Sequence, residues 1–477
     1  MELVVEVARE VTAGAPTATN QNMATRKHVG DGEDEVPAKT STDSVQSEKL
    51  LLFLKWCDDN GFCVSKKVKV GKEGSCAQNG MVAVADIEKG ETLFIIPRQM
   101  LLTPSTCGIA KLLEEGSAEL QSSSGWIPLL IALMYEYNNP QSKWRSYLDV
   151  CPDFKELTLP MFWSQSEREE LLKGTGVIEA VDRDLVNITH DFKKLVQPFI
   201  QKHKDVFGPV YDDIEFYKKI VAFVMAYSFT EPVKMDGEEE DEADTVTSPP
   251  MMVPMADILN HVAKNNANLE FEKDCLKMVA INDIKMGEEV FNTYGQVANW
   301  HLLHMYGFAE PYPNNHYDTV DIPLRLVLDA AKQLDYNTPQ LLQDKWAFLQ
   351  AMDLASDDVF VVGVDGILTE EELYSTLKVL SMTEPTFKEY QEKDGWSDDD
   401  SDDEDDESLS FEKMKTLPES WKTILSSCAR ACLKRYPTTL EENEKTEVSS
   451  LPTIHRFALL TRHGQMKLVQ KIIECCT

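Results

Sequence analysis

One short pattern occurs twice in this chain. Ile87-Glu88-Lys89-Gly90-Glu91 and Ile284-Lys285-Met286-Gly287-Glu288 both read I-x-x-G-E. Each corner lies between stretches of strand character. MVAVADI (Met81 to Ile87) and TLFIIP (Thr92 to Pro97) flank the first, and read as two tightly joined strands. LEFEK (Leu269 to Lys273) and LKMVAI (Leu276 to Ile281) precede the second, and EEVFNTYG (Glu288 to Gly295) follows it. Strands this short are not stable in isolation, so both sets are expected to build one β-domain that an insertion divides.

The segment between them has helical period. In FYKKIVAFVMAYSF, Phe216, Ile220, Phe223, Val224 and Tyr227 recur at i, i+4, i+7, i+8 and i+11. Residues 1–46 are polar and without period, and read as a disordered tail. Ser47 opens a helix that Gly61 stops. Strand character returns at Met251, and a short helix, VANWHLLHMYGF, is ended by Gly307. Beyond about residue 320 the chain is helical again, with Thr369 and Glu372 spaced as a capping box. The expected class is α+β. Residues 47–104 and 250–319 are the two halves of the β-core, 105–249 is a helical insert, and 320–477 is a helical C-terminal domain with an acidic loop at 397–408.

Composition limits the partners. The formal net charge of the 477 residues is −34; Asp236 to Asp244 holds seven acids and Asp398 to Glu407 nine, and taking out those 16 still leaves −18. An acidic surface repels phosphate backbones and favours basic protein segments, so direct nucleic-acid binding is not expected. Ser397 and Ser401 carry acids at +3, which suits an acidophilic kinase, though a plain solvated spacer fits equally well. The ten cysteines include no C-x-x-C pair and fit free thiols. Cys428 and Cys432 stand at i,i+4 with no second His or Cys pair nearby, so they read as core residues and no metal site is expected. There is no signal-peptide pattern and no apolar run long enough to span a membrane, so the expectation is a soluble intracellular protein.

The densest polar constellation is Ala256-Asp257-Ile258-Leu259-Asn260-His261, followed by Phe291-Asn292-Thr293-Tyr294-Gly295-Gln296. Alone, the first also reads as a capped turn and the second as a hairpin corner. Gly174-Thr175-Gly176 has no strand before it and Glu179 where a third Gly would stand, so a dinucleotide loop is excluded.

Taken in order, GMVAVADIEKGE, ADILNH and EEVFNTYG resemble the three motifs of the SET family, a resemblance that covers about residues 47–477. The long insert, the absence of a cysteine-rich cluster after Tyr294 and the helical C-terminal module are similar to its RuBisCO large-subunit methyltransferase branch. The resemblance implies a split SET β-core with a C-terminal substrate-binding-like domain. It also implies an S-adenosyl-L-methionine-dependent protein-lysine N-methyltransferase. Such an enzyme is expected to be nuclear and also cytoplasmic, and to monomethylate lysines of nuclear proteins such as the RelA subunit of NF-kappaB and histones. Oligomeric state is left open.

By the same resemblance, Tyr294 is the catalytic residue, orienting the amine or the transferring methyl. Asn260 and His261 hold the donor, and Tyr306 packs on its adenine. Ala77, Gln78 and Asn79 form the first donor loop, where many members carry G-x-G; here Gln78 replaces the first Gly, and Asn79 tolerates positive φ almost as Gly does. Tyr227 contacts donor, while Trp126, Ser228 and Thr230 line the peptide groove, where substrate is expected to add as a strand. Two rivals remain: a protein-histidine methyltransferase of the same fold, and a catalytically silent adaptor.

Overall fold

The computed structural model describes residues 41–71, 79–151, 157–232, 248–352, 354, 359–392 and 409–477. Most of the predicted tail, Ala77 and Gln78, the acidic run from Asp236, and the 397–408 loop with Ser397 and Ser401 lie outside the described residues. The chain divides into two compact units. The first comprises Met1–Glu156, Asn187–Asn260 and Asn266–Val290; the second comprises Leu157–Val186, His261–Asn265 and Phe291–Thr477. Residues 157–186, which their period assigns to the insert, thus count with the C-terminal unit.

In the first unit the two halves of the β-core pair with each other. Strands β1 (Cys63–Val64), β2 (Val68–Gly71), β3 (Gly80–Ala83) and β4 (Thr92–Pro97) come before the insert. β5 (Ser228–Phe229) lies near the end of the insert, and β6 (Met251–Met252), β7 (Ala267–Phe271), β8 (Cys275–Ala280) and β9 (Glu289–Val290) follow it. The larger sheet has the order β1-β4-β8-β7, the smaller β2-β3-β9, and β5 pairs with β6. β3 and β4, read in sequence as one tight strand pair, therefore go to different sheets, because each takes a partner from the far side of the insert.

The repeated corner explains how. Ile87 and Ile284 exchange backbone hydrogen bonds, each N–H to the other's carbonyl at 2.9 Å. The side-chain bonds repeat as well: Glu91 accepts the Glu88 N–H and Glu288 the Lys285 N–H, both at 2.8 Å. Asp283 accepts from the Lys89 N–H at 2.9 Å and Asp86 from the Met286 N–H at 3.0 Å. Gly90 and Gly287 hold φ of 90° and 91°, a conformation that favours glycine. Two like corners face each other across a local two-fold, so register on one side fixes register on the other. Alternation along β8 then points Leu276, Met278 and Ala280 inward, all under 2 % exposed. Each of the larger side chains contributes roughly 1.5–3 kcal/mol on burial.

The insert helix Ile214–Tyr227 starts at Asp213, whose carboxylate accepts the Glu215 N–H at 2.9 Å. It buries Tyr217, Ile220, Val221 and Val224 and packs on the helix Ile127–Asn138. The N-terminal helix begins at Ser41 rather than Ser47 and ends at Asp59.

The second unit is mostly helical. The helix Glu419–Leu433 packs against Thr453–Cys476 and Leu324–Ala331 around one core. Cys428 and Cys432 lie in that core, and burial pushes both thiols up. A two-stranded ribbon, β10 (Val320–Pro323) with β11 (Val359–Val362), is added to what reads in sequence as helix alone. The expected capping box does not form. The Thr369 hydroxyl instead accepts the Val361 N–H at 3.1 Å, tying the helix Glu370–Ser381 to the ribbon. Among the described residues no helix is long and apolar enough to cross a membrane, and no group of three or more His, Cys, Asp or Glu is placed to hold a metal ion.

Candidate active site

In the first unit the chain leaves β6, passes Met255 at φ 79° and makes a short 3-10 turn, Ala256–Ile258, that delivers Asn260. The Asn260 amide is buried and spans two strands' ends. Its Nδ2 donates to the Asn79 carbonyl at 3.2 Å and to Glu289 Oε1 at 2.6 Å. Both amide hydrogens are therefore taken by protein acceptors, which leaves Oδ1 as the side chain's polar atom for a ligand. Asp257, inside the same motif, accepts the Tyr147 hydroxyl at 2.5 Å. Burial pushes the Asp257 carboxyl up to about 7, and the Tyr147 bond opposes that rise.

Tyr227 ends its helix with its ring 5.1 Å from Phe223. Ser228 pairs with Met252 in the β5–β6 bridge that leads into the motif, and Thr230 is exposed beyond it. Arg98 grips the next residue, Glu231, with two hydrogen bonds of 2.8 and 2.7 Å. Trp126 stands apart: it is the N-cap of the helix Ile127–Asn138, and no hydrogen bond among the described residues joins it to Asn79, Tyr227, Ser228 or Asn260.

In the second unit, His261 and Asn292 form a parallel bridge that sets the two motifs side by side. His261 Nδ1 accepts the Tyr294 main-chain N–H at 3.0 Å. The His261 and Tyr294 rings are stacked, 5.1 Å apart and tilted 24°. Tyr306, the last residue of the helix Asn299–Tyr306, puts its ring 4.7 Å from Tyr294. Phe308 meets Tyr294 edge-on at 6.2 Å. Gly307, at φ 80°, allows the sharp exit between Tyr306 and Phe308. Gly295, at φ 112°, turns the chain after Tyr294, and its N–H donates to Thr293 Oγ1 at 3.0 Å. His261 is 1 % exposed, and burial lowers its pKa to about 4, so the imidazole is uncharged at neutral pH. Burial raises the Tyr306 phenol to about 12.

The structure thus joins Asn79 to Asn260 in one unit, and His261, Tyr294 and Tyr306 in the other. The chain runs from the first group to the second at the Asn260–His261 peptide bond. Sequence reasoning passed over Tyr147, Glu289, Phe308 and Glu310. Glu289 lies inside the quoted EEVFNTYG and Phe308 closes the quoted VANWHLLHMYGF, and that placement is the one signal the sequence carries. Tyr147 lies far off in the insert, and no local pattern marks it.

The rings gathered in the second unit suit a sulfonium nucleoside donor. Stacked aromatic faces take an adenine ring and a cation equally well. The neutral His261 sets no positive charge beside a sulfonium.

Known proteins resemble the chain over most of its length. The SET domain family model matches residues 78–295, and the family described as Rubisco LSMT substrate-binding matches residues 337–468. The chain is 47% identical to the N-lysine methyltransferase setd6 of Salmo salar, covering 90% of this chain and 96% of that one. It is 44% identical to the Mus musculus N-lysine methyltransferase SETD6, covering 92% and 93%. With the Homo sapiens N-lysine methyltransferase SETD6 it shares 40% identity, covering 90% and 95%. Among solved structures it shares its fold with Rubisco LSMT bound to AdoMet, at a TM-score of 0.61 and 19% identity over 90% of this chain and 91% of that one. The LSMT SET domain bound to lysine and AdoHcy gives a TM-score of 0.62 at 20% identity, again over 90% and 91%. On this identity across nine-tenths of its length, the chain belongs to the SET-domain N-lysine methyltransferases of the Rubisco LSMT branch, a family whose methyl donor is S-adenosyl-L-methionine.

Proposed function

We propose that this chain monomethylates lysines in basic segments of nuclear proteins, transcription factors such as RelA and histones among them, and that it works in the nucleus and also in the cytoplasm. The observation that carries the proposed chemistry is the Tyr294 ring held between His261 and Tyr306, with its main-chain N–H fixed to the His261 Nδ1. When bound, S-adenosyl-L-methionine supplies an electrophilic methyl on a positively charged sulfur. Transfer to an amine is an in-line displacement, so the protein contributes mainly position. Tyr294 offers one hydroxyl to orient the amine while its ring walls the channel. The amine attacks only when neutral, and the apolar rings of Tyr306 and Phe308 lower an ammonium's pKa by excluding water. The acidic composition, with a net charge of −34, draws Lys- and Arg-rich partners.

The test is transfer of labelled methyl from the donor to recombinant RelA, to histones and to a nuclear extract, with the modified residue located by mass spectrometry. Single methyl groups on lysine are expected. Methyl groups on histidine, or donor binding without transfer to any of these proteins, would contradict the proposal.

A further inference from the structure

We infer that Glu310 is a positioning residue for this site, holding the His261–Ala263 segment and, through it, the Tyr294 backbone. The inference rests on the methyltransferase reading above for its kinetic consequence, but not for its geometry.

Glu310 is 8 % exposed, and the His261 Nε2 lies 3.8 Å from its Oε1. The same oxygen accepts the Ala263 N–H at 2.8 Å. Because His261 Nδ1 accepts the Tyr294 N–H, Nδ1 carries no proton, and the proton of the neutral ring is on Nε2, the side that faces Glu310. The carboxylate therefore meets an N–H dipole with the right sign and grips the loop one step beyond it.

Glu310 is itself fixed. Asn299, 0 % exposed, clasps its main chain: Asn299 Oδ1 accepts the Glu310 N–H at 2.8 Å and Asn299 Nδ2 donates to the Glu310 carbonyl at 3.1 Å. Asp318 in turn accepts the Asn299 backbone N–H at 3.0 Å and its Nδ2 at 2.9 Å. Asn299 begins the helix that ends at Tyr306. One buried network thus sets both the His261 and the Tyr306 sides of the Tyr294 ring. Burial by itself disfavours a carboxylate at position 310, and an apolar residue there would leave the Ala263 N–H without this acceptor.

The experiment uses the full chain. The sequence holds nine histidines, few enough to follow by histidine-labelled nitrogen NMR, with the His261 signal assigned by its loss in His261→Asn. Glu310→Gln keeps the size and the acceptor for Ala263 but removes the charge. It is expected to shift the His261 Nε2–H resonance while leaving the melting temperature close to wild type. Glu310→Ala also loses the Ala263 bond. It is expected to lower kcat on the order of tenfold, with a rise in donor KM beside it. An unmoved His261 signal in Glu310→Gln would overturn the inference, as would an unchanged kcat in Glu310→Ala. If Glu310→Ala does not fold, the Glu310→Gln resonance decides alone. That readout needs neither donor nor substrate, so an inactive wild type would sink the methyltransferase reading separately.

Discussion

The His261 ring stacks on the Tyr294 ring at 5.1 Å while its Nδ1 accepts the Tyr294 N–H at 3.0 Å. One buried imidazole therefore fixes both the side chain and the main chain of the residue placed to orient the amine. His261→Ala removes both contacts. It removes the acceptor of the part-buried Tyr294 N–H, at about 1–3 kcal/mol, and takes the stacked ring from Tyr294. Methyl transfer should fall on the order of 10²-fold, since misplacement near 1 Å costs that much. Steady-state rates beside chemical denaturation separate the loss of activity from the loss of stability.

The same histidine predicts a pH effect. Its pKa drops from 6.5 to about 4 in the folded chain, so the unfolded chain takes up the proton first as pH falls. The stability tied to neutral His261 is whole above 6.5 and is lost progressively as pH falls through about 4. It amounts to about 3 kcal/mol. In His261→Asn the acid side of the stability profile should be flatter by that amount, as read from urea midpoints.

Asp257 behaves in the opposite sense. Its pKa rises from 3.8 to about 7 on folding, so the folded chain holds the proton more tightly. Stability from this group is full below 3.8 and lost as pH rises through about 7. The Tyr147 hydroxyl, 2.5 Å away, limits that loss by stabilising the carboxylate. Tyr147→Phe should leave stability little changed near about pH 4 and reduce it by roughly 1–3 kcal/mol near about pH 8.5. Asp257→Asn should remove the difference. Denaturation curves at the two pH values check both.

Gly464 marks where the C-terminal helix presses on the network below the active site. A Cβ at this position would run into Asp318 Oδ2. In an ordinary helix Gly→Ala stabilises by about 1 kcal/mol; here Gly464→Ala should destabilise by about 1–3 kcal/mol through overpacking. The Asp318 bonds to Asn299 would have to shift, so donor affinity by calorimetry should weaken as well.

The repeated I-x-x-G-E corners made the split β-core legible, because a turn that needs Gly and Glu at fixed offsets leaves a local mark. The helix ended by Gly307 was legible for the same reason. Pairing across the insert was less so: the sequence shows that β3 and β4 are neighbours in the chain, but their partners β9 and β8 come from the far side of the insert. The β10–β11 ribbon escaped notice since its two short strands lie among helices and carry no turn signal between them. Asn260, His261 and Tyr294 stood out through their motifs. Glu310, Asn299 and Asp318 did not, because buried polar residues are defined by partners that only folding brings near.

The most direct measurement is labelled methyl transfer to a lysine-containing protein substrate by wild type and by Tyr294→Phe, with donor affinity measured on both. The loss of one directed hydrogen bond to the reacting groups should lower the transfer rate on the order of 10²-fold. The ring stack on His261 and Tyr306 needs no hydroxyl, so donor affinity and folding should be kept. A Tyr294→Phe protein that transfers methyl groups at the wild-type rate would contradict the role given to Tyr294 and the site built around it.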